Sequence, residues 1–123
     1  MVQEVFADDI ICGLLFLCSK HEFKGNQRYL QETIFELKRK HGGVFDDFVF
    51  SEDLYPYSQL LERVFSRLEL SRIISFDNPD YKYFVLTPNG RNYIEKKIMP
   101  LLSDKLEILR NIAEDFEKAV GKE

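Results

Sequence analysis

Ser58, Gln59, Arg63, Ser66 and Arg67, followed further on by Lys82, are the residues whose types suit contact with a nucleic acid. Arginine forks onto guanine O6 and N7, glutamine pairs with adenine, and lysine reaches phosphate oxygens. Glu62 lies among them and offsets the arginines, so a plain solvated face is the competing reading. The run Lys38-Arg39-Lys40-His41 also has two readings, compensation of a helix dipole or a phosphate contact. Catalytic chemistry finds no comparable set. His21 and His41 are far apart in sequence and sit in basic, polar contexts that suit surface residues or helix-end charges. No Gly-rich phosphate loop, zinc-ligand spacing or nucleophile elbow occurs. Asp8-Asp9 and Asp46-Asp47 read as solvated charges or caps, and Cys12 and Cys18 as small buried hydrophobes in a reduced compartment. The expectation is a protein that is not an enzyme and holds no cofactor or metal.

The chain that must position these residues has 123 of them, 45% hydrophobic and 31% charged, which suits one globular domain with a real core. Its net charge of −4 and pI of about 5.3 argue against a protein that coats phosphate nonspecifically, though one face can still carry a local positive field. The apolar run from Ile10 to Cys18 is too short to span a bilayer, and Glu4, Asp8 and Asp9 before it have the wrong sign for a signal peptide. A soluble, cytoplasmic protein is expected.

Apolar residues from about Val5 to Ser19 predict a buried first helix, followed by a polar connector over Lys20–Asn26. Asn26 is a candidate N-cap for a second helix reaching His41, with Leu30, Ile34 and Leu37 on its apolar stripe and Gly42-Gly43 stopping it. Val44 to Leu54 is rich in Phe and Val and reads in part as an extended segment or edge strand. A third helix is predicted from near Pro56 to about Leu70, with Leu61, Val64, Phe65 and Leu68 inward. Residues 72–76 and 81–86 then form a hairpin around the turn signal Asp77-Asn78-Pro79-Asp80. Thr87-Pro88 caps a helix to about Met99, and Pro100 restarts a last one over roughly Leu101 to Val120. The fold class expected is mainly α with a small β-hairpin wing: a winged helix-turn-helix with a long C-terminal helix.

Three runs of this sequence resemble a theme of prokaryotic winged-helix proteins: Tyr55-Pro56-Tyr57-Ser58-Gln59-Leu60-Leu61, then Leu68 with Ile73-Ile74, then Tyr83 to Arg91 with its Leu86-Thr87-Pro88-Asn89-Gly90 ending. Leu30-Gln31 in the second helix matches the same theme, and the likeness covers roughly residues 10–97. The Leu-Thr-x-x-Gly ending is shared with winged-helix regulators of the PadR and MarR types. The resemblance implies a DNA-binding transcriptional regulator. Two positions depart from it: Tyr55 stands where a glycine is usual, and Glu69-Leu70-Ser71-Arg72 lacks the glycine expected where the third helix ends.

Other features point to a protein partner instead. The hairpin turn carries Asp77 and Asp80 with Lys82 its one cation, and acidic groups are repelled by phosphate. Roughly fifteen residues separate the second and third helices, where about three or four are usual, and they include Asp46, Asp47, Glu52 and Asp53. The alternative to DNA is therefore a winged-helix adaptor that binds another protein through this acidic insert and the wing. At the C-terminus Leu102, Leu106, Leu109, Ala113, Phe116 and Val120 recur at spacings of four and three, as in a coiled-coil seam. They predict a homodimer through a C-terminal arm, residues 100–123, beside a winged-helix domain of residues 1–99; folding back onto the first helix is the other option.

Overall fold

A helix apolar on nearly every side must lie inside a domain, and α1 (Ala7–Leu17) does: Ile11, Leu14 and Leu15 are fully buried. Asp9 closes its first turn by accepting a 2.9 Å hydrogen bond from the Phe6 N–H. The protein is described from a computed structural model over residues 5–41, 43–76 and 83–120. It is mainly helical, with small antiparallel sheets and a long C-terminal helical stretch.

The connector after α1 holds a strand that its sequence conceals. β1 (Glu22–Lys24) has a single apolar residue, Phe23, turned inward between two exposed charges. Further along, β4 (Ile74–Ser75) and β5 (Tyr83–Leu86) pair antiparallel, and β1 adds to the other side of β5 with Phe23 opposite Phe84. Phe84 also meets Phe65 and Phe76, while Phe23 meets Phe116, so the sheet closes on an aromatic cluster. The turn at Asp77–Asp80 and Lys82 lie outside the described residues.

α2 (Gln27–His41) starts as expected, with the Asn26 side chain accepting from the Tyr29 N–H at 3.0 Å. The insert after it begins with a 3-10 turn (Gly43–Phe45), with Phe45 and Phe48 buried, and ends in a short antiparallel ladder of β2 (Ser51–Glu52) with β3 (Pro56–Tyr57). Pro56 is thus strand and not the first helical position. α3 (Gln59–Leu70) begins later because Ser58 supplies the N-cap, its short side chain placing a hydroxyl oxygen that accepts from the Leu61 N–H at 3.2 Å.

α4 (Pro88–Tyr93) runs into a wide π turn (Ile94–Ile98) and a tight 3-10 stretch (Met99–Lys105) before α5 (Leu106–Val120). Pro100 explains the interruption: it lacks an N–H and its ring crowds the carbonyl one turn earlier. The last α-helix therefore starts at Leu106 and not near Leu101. Its apolar stripe is covered by the chain itself, against α1 and α2. Leu102, Leu109, Phe116 and Val120 are fully buried, Ala113 is 2% exposed, and Leu106 is half-buried. A dimer cannot use these residues while the chain stays folded, which corrects the expectation of a dimer seam. One apolar cluster runs from Ala7 to Val120, so the C-terminal helix belongs to the common core and is not an arm. Among the described residues no helix is long and apolar enough to cross a membrane.

Candidate functional site

The position of α3 is fixed at both ends by polar contacts that its own sequence does not announce. At its start, fully buried Gln31 of α2 accepts from the Ser58 N–H at 2.8 Å and donates to the Ser58 carbonyl at 3.0 Å. A glutamine amide matches a peptide group in donor and acceptor, so it docks one helix onto the first turn of the next as a strand would. Ser58 is 1% exposed and its hydroxyl is taken by the cap, which removes it from the expected DNA-contacting residues.

At its other end, α3 leaves through a hydrogen-bonded exit turn. The Arg72 N–H donates to the Glu69 carbonyl at 3.0 Å and the Ile73 N–H to the Leu68 carbonyl at 2.9 Å, the pairing of a Schellman motif. Such a turn needs a left-handed residue, and Arg72 adopts it with φ 62°. An L side chain there costs about 1 kcal/mol relative to glycine. The Leu86–Gly90 run fastens this exit. The Thr87 N–H and hydroxyl donate to the Ile73 and Arg72 carbonyls at 3.0 and 2.7 Å, and the same hydroxyl oxygen accepts from the Gly90 N–H. Gly90 has no room for a side chain, since a Cβ would lie 2.4 Å from the Ile73 carbonyl oxygen. The motif that carried the family resemblance is, in physical terms, a clamp on the end of α3.

Between these anchors α3 presents Gln59, Glu62, Arg63, Ser66, Arg67 and Glu69 to solvent. Arg67 is committed. Its guanidinium makes a two-pronged pair with Asp8 of α1, at 2.8 and 2.7 Å, and the carboxylate raises its pKa further. Reading a base with Arg67 would require breaking this pair, so it is a positioning residue for α3 against α1. Glu62 accepts from the Tyr57 hydroxyl at 2.7 Å, a bond that raises the tyrosine's pKa. Gln59, Arg63 and Ser66 share one side of the helix, one turn apart, and their side chains make no hydrogen bond or ion pair with other described residues.

The basic run at the end of α2 is absorbed by the fold. Lys38 donates to the Phe48 carbonyl at 2.6 Å, Arg39 pairs with Glu36, and Lys40 and His41 both reach Asp115 of α5, at 2.8 and 3.0 Å. Hydrogen bonds from Lys40 and His41 hold the Asp115 carboxyl below its usual range. Arg28 pairs with Glu32 and lies over the Tyr55 ring. Beyond α3, an open groove of about 780 Å³ is lined by Leu70, Arg72, Ser75, Phe76, Pro88 and Asn89 among others. The insert exposes Asp46, Asp47, Glu52 and Asp53 around two unsheltered aliphatics, Val49 at 77% and Leu54 at 91%.

Cys12 and Cys18 are both buried free thiols. Burial pushes each up to about 12, with Asp9 and Asp8 adding to it at Cys12 and Glu117 at Cys18, so neither is a nucleophile at neutral pH. Among the described residues no three His, Cys, Asp or Glu side chains are grouped to hold a metal. Compared with protein-family models, curated proteins and solved structures, the chain gives no significant match in any of the three. The geometry above therefore carries the functional reading.

Proposed function

We propose that this chain is a winged-helix protein that binds double-stranded DNA and acts as a cytoplasmic transcriptional regulator, with no catalytic step of its own. The outer side of α3 enters the major groove, and strands β4 and β5 form the base of the wing. The observation that carries this is the unpartnered trio Gln59, Arg63 and Ser66 on one exposed side of the third helix. The chain order of three helices with a hairpin closing the last of them supports it. Arg63 forks onto guanine O6 and N7, Gln59 pairs with adenine, and Ser66 meets a base edge or phosphate.

Retention on a pool of random duplexes at two salt concentrations tests the proposal. The chain is expected to be retained at low salt and released at high salt, and Arg63→Ala should cost about 1–3 kcal/mol of binding to its preferred sequences. Arg67→Ala should lower stability through the lost Asp8 pair. Absence of salt-dependent retention, or an Arg63→Ala variant indistinguishable from the parent, contradicts the DNA reading.

A second reading, an adaptor for another protein, is favoured by the insert. Leu54 and Val49 stand in solvent amid Asp46, Asp47, Glu52 and Asp53, a surface suited to a partner with basic and apolar side chains.

A further inference from the structure

The left-handed turn at Arg72 is where the family theme leads one to expect glycine, and the fold makes no visible use of the arginine that stands there. Its backbone closes the α3 exit turn, which glycine would do without strain. Its side chain is exposed and makes no hydrogen bond, ion pair or ring contact with any described residue. The α3 dipole favours a cation at this end, but the Arg67, Glu69 and Leu68 carbonyls are already taken by the Ser71, Arg72 and Ile73 N–H groups. A strained residue with no internal compensation points to a use outside the chain. Arg28, Arg39, Lys40 and Arg67 are paired with carboxylates, whereas Arg63 and Arg72, like Arg91, Lys96 and Lys97, are not.

We infer that Arg72 is a phosphate-contact residue of the duplex-binding surface, placed in the exit turn just past the end of α3. This rests on the DNA reading above. A guanidinium is permanently charged and offers a planar donor fork that fits a phosphodiester. It borders the groove with Asn89, whose amide suits a backbone phosphate, while Glu69 in the same lining opposes it. The contact is independent of base sequence, so it sets affinity and register and leaves specificity to Gln59 and Arg63.

Arg72→Gly separates this role from a structural one, because glycine suits the turn and removes only the charge. The variant is expected to melt at or a few degrees above the parent. Its affinity should fall for all duplexes alike, and its salt slope should shrink by about 0.9, the share of one phosphate. Arg72→Lys should keep most of the slope, and Glu69→Gln should bind more tightly than the parent. An Arg72→Gly chain with the parent's affinity and slope overturns the assignment, as does one whose melting point drops by several degrees. If the unmutated chain shows no salt-dependent retention, the DNA reading itself fails; retention by the parent with an unaltered Arg72→Gly variant removes Arg72 alone.

Discussion

Gln31 and Ser58 show how one polar pair sets the geometry of a surface neither belongs to. With both amide atoms satisfied by the Ser58 backbone, α2 and the first turn of α3 are held in one register. Gln31→Leu preserves the volume but strands a buried N–H, so the chain should lose about 1–3 kcal/mol, seen as a lower urea midpoint with an unchanged slope. An unaltered midpoint contradicts that role. The sequence hinted at this residue only through the Leu30-Gln31 resemblance. A glutamine beside an apolar stripe has the pattern of a solvated position, and a partner twenty-seven positions away leaves no periodic trace. The same limit hid the Asp8–Arg67 pair, which turned an expected base-reading arginine into an anchor. The missing glycine near Arg72 was legible as a departure, and its left-handed turn gives that departure a physical meaning.

Among the elements, the helices were largely readable because their caps and stripes are local: Asn26, Ser58 and Thr87 all cap. β1 escaped because three residues with one apolar side chain carry no alternation to detect. The C-terminal stripe was readable as a buried face, but periodicity says that a face is covered and not by what. Covering it with α1 and α2 changes the prediction for Leu109, a fully buried side chain. Leu109→Asp puts a carboxylate into that contact and should abolish cooperative thermal unfolding; a folded, monomeric variant contradicts this account of α5. The α2–α5 contact also predicts an acid response. The folded-state pKa of Asp115 lies below its unfolded value, about 3.9, so its contribution is present above that value and is lost as pH falls through the folded pKa. Stability of the parent and of Asp115→Asn, compared by denaturant titration, should differ at pH 7 and converge below about pH 4. A gap that persists unchanged in acid contradicts the ionic origin of this tie. The effect is small, because Lys40 is largely exposed and solvent screens the pair.

For the whole molecule, the net charge of −4 is unevenly used. Carboxylates and carbonyls neutralise most cations on α2, and the insert concentrates acid on one flank. Among the exposed residues left without an ion pair, Gln59, Arg63, Ser66 and Arg72 lie on α3 and its exit turn, whereas Arg91, Lys96, Lys97, Arg110 and Lys118 lie on the C-terminal helical stretch. Composition alone could not locate that remainder, since it depends on which charges meet in space. The most direct test follows the backbone amides by NMR while a duplex recovered from the random pool is titrated in. Shifts concentrated on residues 59–66 and 70–72 are predicted. Shifts confined to residues 46–54, or to α5, or failure to recover any duplex, would contradict the claim that the outer side of α3 is a DNA-reading surface.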